Sequence, residues 1–279
     1  MLGRSIALAI LTTFLWARPS DDVLPYQTTS FRSSIDGNRD IYAFAPSREL
    51  FAPDKTILMV YLHGLGQNHS EPFRQPLHGS FADSLFKEFP NLEILSCNYG
   101  ILPSWCKSTV RQDISLNIRQ ALKEHPAEQI IVTGSSMGAC SALTYVACAP
   151  KDIKDKIAGV IAIYPSGDLM DLHNNSSADV VKNALEKAFD GGPDRQSSRY
   201  KDSSLNGHLN TFPSKARVCV IEGAQDTIVP VAQQKDVVRA LSSKGVGTQV
   251  IEIAGNHQPP PGKLIVTAMN YVLGSSPGY

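Results

Sequence analysis

Short apolar runs alternate along the chain with longer segments in which apolar residues recur every three or four positions. Residues 57–62 are continuously apolar, as is typical of a central strand buried on both faces of a sheet. Similar runs occupy residues 92–95, 130–132, 160–164, 218–221 and 250–253. Residues 28–35 and 41–45 are more polar and predict an antiparallel pair at one edge. The alternation predicts an α/β fold in which helices flank a mostly parallel sheet.

Several of the longer segments have helical spacing. Residues 139–149 are mostly apolar. Residues 109–122 carry one apolar face behind Thr109 and Gln112, which have the spacing of a capping box. Val229 and Pro230 predict the start of a further helix that reaches Gly245. A run from residue 264 to 273 predicts a C-terminal helix.

The alternation stops at residues 166–213, which are rich in Gly, Asn, Ser and Asp and contain one strong helix pattern at 178–189. Connections of this length are usually functional insertions. We expect a small cap or lid within a single α/β domain of residues 18–279. Four of its apolar residues either line an apolar pocket or form the core of the cap: Leu169, Met170, Leu172 and Leu185.

The N-terminus differs from the rest of the chain, because Arg4 is the only charge before Arg18 and the residues between them are almost wholly apolar. This run has the length of a signal-peptide core and is shorter than the roughly 20 residues that span a bilayer. Residues 1–17 are therefore a predicted signal peptide, and a secreted or periplasmic protein is expected. Leu15-Trp16-Ala17 is not a clean cleavage site, so a retained apolar segment and a cytoplasmic location stay as the alternative.

Charge argues against polyanionic partners. Lys plus Arg and Asp plus Glu both number 26, so no net field would attract nucleic acid. No stretch after the N-terminus is apolar and long enough to span a membrane. The oligomeric state is open.

The five cysteines leave the redox compartment open. Cys140 and Cys148 fall two turns apart on one predicted helix, about 12 Å at the usual rise, which is too far for a disulfide. Cys97 and Cys106 flank a loop and could form a disulfide or stay as two thiols. Cys–His metal spacing is absent from the sequence, and no metal is expected.

Candidate chemistry begins at Gly134-Ser135-Ser136-Met137-Gly138, which lies between a predicted strand and a predicted helix. In that setting Gly-x-Ser-x-Gly makes a sharp turn that projects the central hydroxyl above the sheet. The two glycines allow the turn and the close packing of the helix. Ser136 is therefore the predicted nucleophile, and Ser135 is its neighbour.

A serine nucleophile needs a base, and the base needs a carboxylate that fixes its tautomer. Asp226 follows the predicted strand at 218–221, and His257 follows the one at 250–253. Loops after late strands can direct both side chains to the serine, so these two residues are the predicted partners. Glu222 is the alternative carboxylate.

Acyl transfer also requires donors for the developing oxyanion. The N–H of Met137, just after the nucleophile, is one candidate. The second is expected from the glycine-rich loop after the predicted strand at 57–62, where Leu65 N–H is the first choice and Gly66 N–H the alternate. His63 is expected to brace this loop by a structural hydrogen bond.

These residues resemble the α/β-hydrolase superfamily of esterase and serine-hydrolase type, with the catalytic order Ser, Asp, His. The resemblance implies an eight-stranded, mostly parallel sheet and a two-step acyl-enzyme mechanism without metal or organic cofactor. Residues 62–66 are similar to the opening loop of carboxylesterases and acyl-protein thioesterases, whereas residues 199–205 are more like secreted esterases and prolyl-oligopeptidase-type peptidases. Ala139 stands where the family usually has glycine, and the three prolines at 259–261 are atypical.

The leading prediction is a carboxylesterase or lipase-like serine hydrolase that cleaves carboxylic esters, so a small-molecule ester is the expected partner. A serine peptidase of prolyl-oligopeptidase type is the enzymatic alternative. A non-catalytic binding protein on a hydrolase fold is the third possibility.

Overall fold

The computed structural model of the protein describes residues 24–47, 56–74, 81–99 and 104–274. The predicted signal peptide, residues 1–17, lies outside these ranges. The strands found in them are β1 (Gln27–Arg32), β2 (Arg39–Ala45), β3 (Ile57–Leu62), β4 (Leu92–Cys97), β5 (Gln129–Ser135), β6 (Ile157–Ile163), β7 (Arg217–Gly223) and β8 (Gly247–Ile253).

The strands form one sheet in the order β1-β2-β4-β3-β5-β6-β7-β8. β1 and β2 pair antiparallel, and β2 is antiparallel to β4. All the remaining pairings are parallel. The predicted α/β fold with an eight-stranded, mostly parallel sheet is therefore confirmed.

The apolar runs mark the centre of this sheet. Every residue of β3 and β4 is buried, because helices cover both faces and leave no exposed side to alternate with. β8 is different, since it pairs with β7 alone and none of its residues is fully buried. The prediction that residues 250–253 form a strand buried on both faces is wrong, because the apolar run lies at the edge of the sheet.

Helices cover both faces of the sheet. The α-helices of the described ranges are α1 (Phe81–Glu88), α2 (Ser108–Glu124), α3 (Met137–Cys148), α4 (Lys151–Lys154), α5 (Leu169–Asn175), α6 (Asp179–Phe189), α7 (Pro193–Asp202), α8 (Val231–Ser242) and α9 (Gly262–Leu273). α2, α3 and α8 pack on one face of the sheet, and α1 and α9 pack on the other. None of the helices in the described ranges combines the length and apolar character of a membrane span.

The start of α2 differs from the prediction. The helix begins at Ser108, and its cap is Lys107, which makes no side-chain capping bond. Thr109 and Gln112 therefore lie inside the first turns, and the predicted capping box is wrong. The apolar face persists, with Val110, Ile114 and Ile118 all buried.

The insertion at 166–213 is more ordered than its composition suggests. The predicted helix at 178–189 corresponds to α6, but α5 and α7 were not predicted. Asp168 caps α5 by accepting hydrogen bonds from the N–H groups of Met170 and Asp171, and Pro193 begins α7. Such starts stabilise short helices whose interiors are too polar to show an apolar period.

The apolar residues of the insertion join the core of the domain. Leu169, Leu172 and Leu185 are fully buried within the same cluster as α2 and α3, and Met170 packs against it. At the surface, Arg111 of α2 forms an ion pair with Asp202 of α7 at 2.9 Å. The insertion is thus a packed helical layer of the domain.

The two cysteines considered for a disulfide are free in the structure, and both are buried. Burial raises the pKa of the Cys97 thiol to about 12.

We predict that Gly159→Ala destabilises the fold, because a Cβ there would lie 2.6 Å from Val272 Cβ of α9 and 2.7 Å from the Arg217 carbonyl oxygen. Overpacking of this kind costs about 1–3 kcal/mol. Gly247→Ala is the matched control, since the nearest atom to its Cβ is the flexible Tyr271 hydroxyl at 3.4 Å. Urea unfolding should show a lower free energy of unfolding for Gly159→Ala and a free energy within about 0.5 kcal/mol of the wild type for Gly247→Ala. Equal stability of the two variants would contradict the close packing of β6 against α9.

Candidate active site

The predicted site residues lie on loops that follow the carboxyl ends of the strands. Because β3 and β5 to β8 are parallel, these ends all lie on one side of the sheet, where open α/β sheets bind ligands. The register pairs Leu62 with Gly134, the last residue of β3 with the first residue of the elbow. It also pairs Gly223 at the end of β7 with Ile253 at the end of β8.

The elbow holds Ser136 in a strained backbone conformation, with φ 55° and ψ −119°. A non-glycine residue in this region costs free energy and persists where the surrounding structure enforces it. Here the N–H of Ser136 donates to the Ile163 carbonyl at 2.8 Å, and its own carbonyl accepts from Ala139 and Cys140 in the first turn of α3. The chain is thus fixed on both sides of the predicted nucleophile.

The elbow glycines are required by close contact with β3. A Cβ on Gly138 would lie 2.0 Å from the Leu62 carbonyl oxygen, and one on Gly134 would lie 2.5 Å from the Gly138 carbonyl carbon. Neither position can hold a side chain. The first turn of α3 therefore lies directly against the end of β3, which places Met137 N–H beside the loop that follows Leu62.

The carboxylate of Asp226 accepts four hydrogen bonds. Its Oδ1 accepts from the N–H groups of Ile228 and Val229 at 2.9 and 3.0 Å. Its Oδ2 accepts from Gln234 Nε2 at 3.0 Å and faces His257 Nδ1 at 2.7 Å. The side chain is fully buried, so these contacts fix its orientation and replace its hydration.

The contact with Asp226 also fixes the tautomer of His257. The carboxylate can only accept a hydrogen bond from the imidazole, so Nδ1 must be the nitrogen that carries the proton. Nε2 then has a free lone pair. His257 is itself 16% exposed at its side chain, which leaves the ring accessible to a substrate. Among the described residues, no hydrogen bond joins Ser136 Oγ to His257 Nε2; such bonds are often long in unliganded enzymes and tighten with substrate.

Glu222, the alternative carboxylate, is placed elsewhere. It lies within β7, is buried, and faces Lys235 Nζ at 3.7 Å. Of the two acidic residues considered, Asp226 is the one that contacts His257.

Tyr164 is a site residue that the sequence did not reveal. It follows β6 with φ 57°, and its ring lies against the His257 ring with centroids 4.8 Å apart. Its hydroxyl donates to the Gln258 carbonyl, next to the histidine in sequence. Burial, followed by the nearby Asp226 charge, raises the pKa of Tyr164 to about 12, so the ring is a neutral support for the imidazole. Since the Ser136 N–H is hydrogen-bonded to the carbonyl of Ile163, the residue before Tyr164, this support also links the predicted nucleophile to the predicted base.

The loop after β3, here called the glycine loop (residues 63–67), orients its peptide groups by internal bonds. The Gly64 carbonyl accepts from the Gln67 N–H at 3.1 Å, and Gly66 has φ +76°, as a tight turn requires. In a trans peptide the N–H points away from the carbonyl, so this bond directs the N–H of Leu65 outward from the turn. Among the described residues, nothing accepts a hydrogen bond from the N–H of Leu65 or of Met137.

His63 connects the glycine loop to the chain that follows β4. Its Nδ1 lies 2.9 Å from the Gly64 carbonyl oxygen, and its Nε2 lies 2.8 Å from the Asn98 carbonyl oxygen. The Tyr99 ring stacks on the imidazole, and the Tyr99 hydroxyl donates to the His63 carbonyl. Burial lowers the pKa of His63, consistent with a structural residue.

No group of three or more His, Cys, Asp or Glu side chains in the described ranges is arranged to hold a metal ion. The arrangement offers a hydroxyl on a strained turn, a base oriented by a buried carboxylate, and two unpaired N–H groups on adjacent elements. These are the parts that nucleophilic acyl transfer requires.

Comparison with solved structures gives the same fold in several hydrolases. The Pyrococcus horikoshii acylaminoacyl peptidase matches with a TM-score of 0.69 and 15% identity, over 92% of this chain and 43% of that one. Fluorophosphonate-binding serine hydrolase F of Staphylococcus aureus matches with a TM-score of 0.66 and 15% identity, over 89% and 98% of the two chains. S-formylglutathione hydrolase from the same organism has a TM-score of 0.64 and 14% identity, over 90% and 98%.

These TM-scores establish the α/β-hydrolase fold, and this chain spans less than half of the acylaminoacyl peptidase. No curated protein matches the sequence significantly. The prolyl oligopeptidase family model matches residues 112–258, which include the elbow, Asp226 and His257. The match covers more than half of the chain, and the protein therefore belongs to the prolyl oligopeptidase family of serine hydrolases.

Proposed function

We propose that the protein is a carboxylic ester hydrolase in which Ser136 forms an acyl-enzyme, His257 is the general base and acid, and Asp226 orients His257. The observation that carries this proposal is the 2.7 Å contact between Asp226 Oδ2 and His257 Nδ1, made by a carboxylate whose other contacts are all donors. A carboxylate held in this way stabilises the imidazolium that forms when His257 takes a proton.

In the proposed cycle, His257 Nε2 accepts the Ser136 Oγ proton as the oxygen attacks the ester carbonyl. The N–H groups of Met137 and Leu65 bind the oxyanion of the tetrahedral intermediate. His257 then gives its proton to the departing alcohol, leaving the acyl group on Ser136. A water molecule repeats the sequence, and the carboxylic acid leaves.

Leu65 supports the second oxyanion donor better than Gly66 does. The Gly64 carbonyl is held by the Gln67 N–H, so the direction of the Leu65 N–H is set by the same peptide. Gly66 is exposed. Gly64 N–H already donates to a carboxylate of this chain, so it is not available to a substrate.

Peptide-bond hydrolysis is the second candidate, favoured by the family match at residues 112–258 and by the similarity in fold to an acylaminoacyl peptidase. The same residues would act, with an amine in place of the alcohol. The likeness to S-formylglutathione hydrolase favours ester-type substrates. The acyl-transfer machinery is common to both, so the leaving group must be determined by experiment.

Ser136→Ala is predicted to abolish labelling by a fluorophosphonate probe, because the probe phosphonylates only an activated nucleophile. Hydrolysis of p-nitrophenyl esters should fall by at least about 10⁴-fold, as for loss of a catalytic serine. Ser135→Ala is the matched control and should keep its label, read by gel fluorescence and mass spectrometry. Labelling that survives Ser136→Ala would refute the assignment of the nucleophile.

Asp226→Asn is predicted to lower kcat by about 10³–10⁴-fold, because the amide cannot hold the tautomer that leaves Nε2 free to act as base. Glu222→Gln, in the strand β7 that precedes the Asp226 loop, should keep kcat within about threefold, since the Glu222 carboxylate faces Lys235 and not His257. Steady-state kinetics with p-nitrophenyl butyrate measure both. A larger loss for Glu222→Gln than for Asp226→Asn would reverse the assignment of the carboxylate.

Comparison of leaving groups separates the two candidate functions. We expect kcat/KM for p-nitrophenyl acetate and butyrate to exceed that for acylated peptide p-nitroanilides, with every activity lost in Ser136→Ala. Higher kcat/KM for the anilides would replace the esterase proposal by the peptidase one.

A further inference from the structure

We propose that Glu71 is a positioning residue that sets the orientation of the second oxyanion donor by holding the glycine loop. This inference rests on the proposed function, since it assigns a role within the same site. Glu71 touches neither the elbow serine nor the Asp226–His257 pair, and no sequence motif marks it.

The contacts of Glu71 are directed at the backbone of the loop. Its Oε2 accepts the N–H of Gly64 at 2.8 Å. The same carboxylate is hydrogen-bonded to the hydroxyl of Tyr61, a buried residue of β3. Glu71 begins a short 3₁₀ helix (Glu71–Phe73) that continues the chain from the glycine loop, so the loop is closed on itself by its own downstream segment.

These contacts complete the restraint of Gly64. Its N–H is held by Glu71, and its carbonyl is held by the N–H of Gln67. With both peptide groups of Gly64 fixed, the next N–H along the chain, that of Leu65, has one direction available. If the Glu71 contact is lost, the peptide between His63 and Gly64 keeps only the Tyr99 contact at its carbonyl. The Leu65 peptide is then held by Gln67 alone, and its N–H is less closely aligned.

The Glu71 carboxylate is largely buried, so its hydrogen bonds matter more than those of an exposed carboxylate would. Desolvation raises the pKa of Glu71, opposed in decreasing order by the Gly64 N–H, the Tyr61 hydroxyl and the Arg74 charge. A buried N–H without a partner is costly, and so is a buried carboxylate without donors. The Gly64 N–H and the Glu71 carboxylate satisfy each other's hydrogen-bonding requirement, so the geometry of the loop depends on this contact.

A position that serves only stability would also be sensitive to substitution, so the test needs a readout that follows the oxyanion. Peptidyl or alkyl trifluoromethyl ketones add to the catalytic serine and form a hemiketal oxyanion bound by the same N–H groups as the intermediate. For a positioning residue, inhibitor affinity and kcat/KM fall together, while KM changes little. A residue that matters only to stability changes the unfolding transition and leaves both parameters of the folded fraction intact.

Three substitutions of Glu71 and one control form the experiment. Glu71→Ala removes the acceptor, Glu71→Asp withdraws it by one methylene, and Glu71→Gln keeps an oxygen that can accept the Gly64 N–H. We expect kcat for p-nitrophenyl butyrate to fall about 10- to 100-fold in the first two variants, below the cost of deleting an oxyanion donor outright. Glu71→Gln should restore kcat to within about fivefold of the wild type. Glu128→Gln, exposed at the opposite end of β5, should match the wild type.

The proposal is supported if trifluoromethyl ketone affinity falls in parallel with kcat/KM in Glu71→Ala, with KM within about threefold. If that variant does not fold, Glu71→Asp carries the same comparison. A folded variant with unchanged kcat, or a loss of kcat with unchanged inhibitor affinity, overturns it. Failure of the proposed function is distinguishable, because then the wild type itself would not hydrolyse the ester or bind the ketone through Ser136.

Discussion

The site depends on the absence of a side chain at Gly138. A Cβ there would collide with the Leu62 carbonyl oxygen at 2.0 Å, so the first turn of α3 can lie directly on the end of β3. This approach brings together two elements that are distant in sequence: the elbow that carries Ser136 and the glycine loop that follows β3. Ser136 takes a strained φ of 55° because its backbone is held by β6 on one side and by α3 on the other. The free energy stored at this residue is supplied by the packing of the central sheet.

The second half of the site is built around one buried charge. Asp226 is a carboxylate without exposure at its side chain, and it is surrounded by two backbone N–H groups, an amide and an imidazole. Removing a charge from water is costly unless donors replace the solvent, and here they do. The insertion contributes to this arrangement. Ser176 donates to the Ile228 carbonyl at 2.7 Å, so the helical layer packs against the loop that carries the carboxylate.

Much of the architecture was predictable because the physical signal is local. Continuous apolar runs predicted the central strands, since a strand covered on both faces has no polar side. The runs could not show which strand lies at the edge, and β8 was therefore misjudged. α5 and α7 were missed because their starts and their packing on the core produce no apolar period: Asp168 caps α5, and a proline begins α7. The start of α2 at Ser108 likewise shows that capping-box spacing is a weak indicator on its own.

Of the candidate site, the sequence points to the residues that directly follow strands, and it does not reveal those held by tertiary contacts alone. Ser136, Asp226 and His257 each follow a strand, and that position is visible in the sequence. The contacts that Tyr164, Gln234 and Glu71 make are not encoded by any spacing in the sequence. Tyr164 was counted as the end of a strand, whereas its positive φ turns it onto His257.

A crystal structure of the protein phosphonylated by an aryl phosphonate tests the central claim most directly. We expect phosphorus to be bonded to Ser136 Oγ and the phosphonyl oxygen to lie about 2.7–3.1 Å from both the Met137 and the Leu65 nitrogen atoms. Ser136 Oγ should lie within hydrogen-bond reach of His257 Nε2. Phosphorus on another residue, or a phosphonyl oxygen directed away from the glycine loop, would contradict it.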